Sequence, residues 1–245
     1  MTAQQIGFLV VVFLSNIIQC VTGFAGTVLA MPFSAMLVGL DTARPILNIM
    51  GLAASVGVLA KFHKNVDIKE FFTVIGVTLP GMLLGAFLKN RFSAYGEILF
   101  KLLGAMVILF ALLNFGIYFL KIDFAERSHA LGFALLVLGG ITHGLFVCGG
   151  PLIVSYIIVK LKDNNAFRAT LSAVWIVLNT ILMATDAATG CLSKEILLLT
   201  AVCLAVLIGA ILIGNRAADK ISRKAFMLLT YSLMVISGIS LVLKQ

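Results

Sequence analysis

Two runs of glycine and uncharged hydrogen-bonding residues interrupt stretches that otherwise hold mainly apolar side chains. The first, within residues 6 to 40, is Gln19, Thr22, Gly23, Gly26 and Thr27. The second, within residues 131 to 161, is His143, Cys148, Gly149 and Gly150. The chemistry that suits such a pair is anion coordination. A helix restarting after a break presents N–H groups without partners and about half a positive charge at its N-terminus. Oxyanions accept several N–H bonds there, and glycine keeps that backbone accessible.

Gln19 and His143 donate hydrogen bonds without fixing a permanent charge. His143 also titrates near neutral pH, which makes it a candidate for coupling to protons. Arg44 and Arg168 carry planar paired donors suited to an oxyanion. Each of these residues has a plainer reading as well. Gln19 and His143 can cap broken backbone, and the arginines can anchor helix starts at a membrane interface. Asn48, Asn179 and Asp186 are weaker candidates, and Trp175 reads as packing.

The elements that must position these groups follow from hydropathy. Residues 6 to 40 carry no charge, a length beyond the about 20 apolar residues that one membrane crossing needs. Glycine costs about 1 kcal/mol in a helix interior and proline about 3, so Gly23, Gly26 and Pro32 mark a break. Residues 131 to 161 are charge-free up to Lys160 and are broken by Cys148, Gly149, Gly150 and Pro151. Further apolar spans are expected at about 46–60, 71–88, 100–120, 169–188, 196–214 and 225–243. Asp41 to Pro45 reads as a polar turn, and Lys89 to Arg91 as the close of a span.

Composition agrees. The 245 residues are 61% hydrophobic and 11% charged, against roughly 25% charged in a soluble domain. No repeated alternation of polar and apolar residues suggests a β-barrel. The expected fold is an all-α polytopic membrane protein of about 8–10 membrane segments. The net charge of +8 comes from cations spread singly through short loops, the pattern of the positive-inside rule, with no nucleic-acid patch. Cys20, Cys148, Cys191 and Cys203 show no metal-ligand spacing and read as apolar thiols. Residues 6 to 20 lack a charged leader and read as part of the mature protein.

Sparse polar residues expose an internal duplication. An offset of 124 pairs Gln19 with His143, Gly26 with Gly150, Arg44 with Arg168 and Gly85 with Gly209. An offset of 125 pairs Lys69-Glu70 with Lys194-Glu195 and Asn90-Arg91 with Asn215-Arg216. The repeats are taken as 1–122 and 128–245, joined by a charged linker at 121–127. If each broken segment crosses once, the halves are parallel; if each folds back as a hairpin, they are inverted. Loop cations divide eleven to seven in the first scheme and twelve to six in the second, which does not decide. The short, glycine-rich pieces after the breaks favour inversion. Both schemes put the two termini outside the cytoplasm.

This layout resembles the TauE/SafE family of sulfite and organosulfonate exporters, also called the 4-toluene sulfonate uptake permease family. The likeness rests on Gly23, Phe24, Ala25 and Gly26 with Pro32, on Cys148 to Pro151, and on the Arg44-Pro45 and Arg168-Ala169 regions. It covers essentially the whole chain. The first-half glycine cluster is sparser than many members carry, and Pro32 stands six residues past Gly26. The resemblance implies a cell-membrane permease for sulfite or a carbon–sulfur anion.

The expectation is a secondary transporter working by alternating access, with its site near the membrane midplane between the two broken helices and no cofactor or metal. An anion channel is the alternative. No Walker loop supports ATP hydrolysis, and no H-E-x-x-H, G-x-S-x-G or paired intramembrane carboxylate supports an enzyme. Expected partners are the small anion, the lipid bilayer and a proton or other coupling ion. Oligomeric state, coupling ion and transport direction are not legible in the sequence.

Overall fold

In the computed structural model the described residues are 2–22, 25–92, 95–119, 129–218 and 223–243. They form ten α-helices and one 3-10 turn, with no strand among them. The helices are α1 (Ala3–Thr22), α2 (Ala25–Val38), α3 (Leu40–Phe62), α4 (Ile68–Arg91) and α5 (Gly96–Phe119), followed by α6 (His129–Phe146), α7 (Gly150–Lys160), α8 (Asn164–Ala188), α9 (Lys194–Ala218) and α10 (Arg223–Leu243). The 3-10 turn is His63–Asn65. Five helical stretches are long and apolar enough to cross a membrane: 40–65, 68–91, 96–113, 164–188 and 194–214. The chain is an integral membrane protein. The proposed linker at 121–127 lies outside the described residues.

Local signals set the helix ends. Gly39, at φ +80°, closes α2 in the left-handed conformation that glycine adopts most cheaply. Asp67 Oδ1 accepts from Glu70 N at 2.9 Å to cap α4, and Asp163 Oδ1 accepts from Ala166 N at 2.8 Å to cap α8. The expected polar turn at Asp41–Pro45 is instead the opening of α3, where Asp41 in the first turn suits the helix dipole.

The helices form two compact units, each drawing on both halves of the sequence. The first comprises residues 1–47, 91–122 and 193–245; there α1 packs on α2 and α9, and α10 packs on α5 and α2. Gly104 and Gly238 set the α5–α10 crossing: a Cβ on either would fall within 2.8 Å of the other's carbonyl oxygen. The second unit comprises residues 48–90 and 123–192 and holds most of α3 with α4, α6, α7 and α8. Gly81 and Gly85 of α4 face Val137 and Ile141 of α6, while Gly140 and Gly144 of α6 face Thr78 and Met82 of α4. Two small-x-x-x-small stripes thus bring these backbones together, the usual route to tight helix packing in lipid.

Both broken segments fold back on themselves. Gly132 packs on Tyr156, Gly139 on Leu152 and Ile153, and His143 on Gly149, so α6 and α7 run antiparallel. Gly7 packs on Leu37 and Gln19 on Gly26, giving α1 and α2 the same relation. The single-crossing scheme therefore does not describe these segments. At about 1.5 Å per residue α7 is only about 16 Å long, half of the roughly 30 Å hydrocarbon core.

Candidate functional site

The second unit builds a polar cluster beside its broken hairpin. His143, on the last turn of α6, donates from Nε2 to Asn179 Oδ1 on α8 at 2.9 Å. The Asn179 backbone carbonyl accepts from Asn48 Nδ2 on α3 at 3.0 Å. Gly51, one turn along α3, leaves room for the Asn179 amide: a Cβ there would stand 3.2 Å from Nδ2. The Trp175 ring stacks tilted on His143 at 5.1 Å between centroids. His143, Asn179 and Asn48 are all at most 3% exposed. Three helices thus deliver one hydrogen-bonding cluster into an apolar interior.

The hairpin turn beside it is held tightly. Val147, the first residue of the turn after α6, has φ +58° while 5% exposed. A β-branched residue rarely adopts this conformation, which costs about 1–3 kcal/mol and persists where packing over-determines it. Its N–H still bonds to His143 O at 2.8 Å. Gly149 then caps α7 without a side-chain bond, and Pro151 stands in the first turn, so that turn has one fewer N–H. A Cβ on Gly149 would meet the Gly139 carbonyl and lie 2.8 Å from His143 Cβ. Only glycine lets α7 restart against His143. Cys148, Gly149 and Gly150 are buried here.

Phe62 stacks under the Arg168 guanidinium at 5.1 Å, Asp67 N donates to Thr170 Oγ1 at 2.9 Å, and Tyr156 Oη donates to Glu70 Oε2 at 3.2 Å. These contacts mark one end of the unit. From there Asn179 lies about 16 Å along α8 and Asn48 about 21 Å along α3, at about 1.5 Å per residue. Arg168, exposed at the end, is too far along α8 to share this cluster.

In the first unit Gln19 packs directly against Gly26, the counterpart of His143 against Gly149. Gly26 is buried and Thr27 half-buried. Gly23 lies outside the described residues, as does the side chain of Thr22. Arg44 is 1% exposed within α3 and engaged by neighbouring groups, so the two sequence-paired arginines differ in setting. A cavity of about 340 Å³ opens at the α2–α3 turn beside Gly39, Asp41 and Gly96. It lies at the far end of α2 from Gly26 and is not part of this hairpin turn.

Asn48 and Asn179, weaker candidates by sequence, form one cluster with His143 in the structure, and Lys89 to Arg91 close α4 as expected. Lys89, in the last turn of α4, is only 3% exposed. Asparagine inside a predicted span was the available signal for the first two, since a polar residue there is costly. Among the described residues no group of three His, Cys, Asp or Glu side chains is placed to hold a metal.

Among the described residues, ten helices, two fold-back hairpins and a buried polar cluster define a polytopic membrane protein. The family described as sulfite exporter TauE/SafE matches residues 8–241, nearly the whole length. The chain belongs to the TauE/SafE sulfite exporter family, a family of transporters rather than enzymes. Comparison with curated proteins and with solved structures gives no match.

Proposed function

We propose that the protein is a secondary transporter that moves sulfite or a small organosulfonate by alternating access. The observation that supports this reading is the His143–Asn179–Asn48 cluster beside the α7 restart in the second unit. Amide donors suit an anion that must be released as well as bound. The oxyanion lies against the N–H groups of Gly149 and Gly150, with Cys148 beside them. Gln19, Thr22, Gly23, Gly26, Thr27 and the buried Arg44 serve the first half in the same way. His143 couples transport to protons. Arg168, stacked on Phe62 at the membrane surface, attracts the anion without binding it at depth.

Proteoliposome uptake of labelled sulfite, taurine and sulfoacetate tests this. Wild type shows saturable flux of at least one, and Arg168→Ala retains it with less than about a threefold change, as for an exposed charge. A flux abolished by Arg168→Ala moves the site to the surface. No flux of any sulfur anion under either sign of proton or sodium gradient removes the substrate assignment. Unitary currents in planar bilayers would favour an anion channel instead.

We infer inverted repeats and a cell inner-membrane location with both termini outside the cytoplasm. Five helices per half is the odd count that accompanies inversion, and the twelve-to-six division of loop cations follows the hairpin scheme. Cysteines added at either terminus of a cysteine-free variant are expected to react with a membrane-impermeant maleimide in intact spheroplasts. Labelling only after lysis would reverse the orientation.

A further inference from the structure

We propose that the polar cluster selects anions carrying a hydrogen-bond donor of their own, an O–H or N–H, and that Asn48 Oδ1 is the atom that reads it. This rests on the functional reading above and narrows its substrate class.

The orientation of the Asn48 amide is fixed by its partner. A carboxamide has one acceptor oxygen and one donor nitrogen. The atom facing the Asn179 carbonyl at 3.0 Å must be Nδ2, because a flipped amide would set two oxygens against each other. Oδ1 is therefore the atom that remains. It is buried, on a side chain with 0% exposure, and has no hydrogen-bond partner among the described residues. Neither the Asn179 Nδ2 amide, which lies against Gly51, nor the Trp175 indole N–H bonds to it. Gly51 has no side chain, and the His143 Nε2–H is committed to Asn179 Oδ1. Buried acceptors in native proteins nearly always meet a donor, so the complementary ligand brings one.

A metal cation fits poorly. Asn48, Asn179, His143 and Trp175 carry no carboxylate, and no metal-ligating group of three occurs among the described residues. The fit is to a hydroxy- or amino-sulfonate, or to the singly protonated form of sulfite in preference to its dianion. Its oxygens would face the donors of the α7 restart while its O–H or N–H faces Asn48.

The test compares 2-hydroxyethanesulfonate with propane-1-sulfonate, which replaces the hydroxyl by a methyl group of similar size. Binding to the purified full-length protein in nanodiscs is measured by calorimetry. Wild type is expected to bind the hydroxy compound about tenfold more tightly, the scale of one well-placed hydrogen bond. Asn48→Leu is expected to bind the two anions with equal affinity, whatever its absolute affinity; Asn48→Ala takes its place if leucine prevents folding. Equal binding of the two anions by wild type overturns this inference alone. A preference that survives in the variants overturns the role of Asn48. If wild type binds neither anion, the inference falls together with the sulfonate reading.

Discussion

Gly144→Ala is expected to lower the thermal unfolding midpoint of the purified protein by several degrees, and Gly144→Leu to prevent its accumulation in the membrane. A Cβ at 144 would overlap the Met82 carbonyl and stand 2.7 Å from Ala86 N. These are backbone atoms of α4, which no rotamer change can move aside. Overpacking of this kind costs about 1–3 kcal/mol for a methyl group and more for a larger side chain. Gly85→Ala is expected to match it, because its Cβ would sit 2.9 Å from the Ile141 carbonyl carbon. Gly76 supplies the control on the same α4 helix. It is exposed, and a methyl group added there would meet nothing within 4 Å, so Gly76→Ala gains up to about 1 kcal/mol of helix propensity. Fluorescence-detected size exclusion after heating checks all four variants. Equal behaviour of Gly76→Ala and Gly144→Ala would mean the α4–α6 contact does not set stability.

The second large effect falls on the buried hydrogen bond. Asn179→Leu is expected to reduce the maximal rate of sulfur-anion uptake about 10- to 100-fold at unchanged expression. The substitution removes the acceptor of His143 Nε2–H, and losing the partner of a buried donor costs about 1–3 kcal/mol. His143→Gln is the complementary variant. Glutamine keeps a donor for Asn179 Oδ1 but does not titrate, whereas histidine changes charge near pH 6.5 when unperturbed. Substantial flux is expected to persist in His143→Gln, with the dependence on pH between about 5.5 and 8 flattened. A pH profile identical to wild type would reject His143 as the coupling group and leave it a positioning residue. Wild-type flux in Asn179→Leu would remove the cluster from the transport path.

Much of the architecture is legible in single residues. Gly23, Gly26 and Gly149 to Pro151 interrupt apolar runs too long for one crossing, and both breaks occur near where these residues place them. Long apolar runs specify helices because an apolar solvent leaves the backbone no other partner. That logic is local, so it survives without knowledge of neighbours. The boundaries around Asp41 to Pro45 were missed because polar residues and proline also suit the first turns of a helix.

What the sequence determined by itself is therefore the solvent, the helices, the two breaks and, through the TauE/SafE likeness, the family. Tertiary structure alone decided which polar residues meet. Asn48 and Asn179 lie 131 positions apart, yet one bonds to the backbone of the other. Arg44 and Arg168 are both arginines opening an apolar span by sequence, yet one is buried and the other stacks exposed on Phe62. Lys89 looks like a loop cation and is buried in the last turn of α4. Periodicity and spacing report only which face of one helix is apolar. The depth of a residue and the identity of its partner depend on helix packing, which here is set by glycine contacts between segments far apart in the chain.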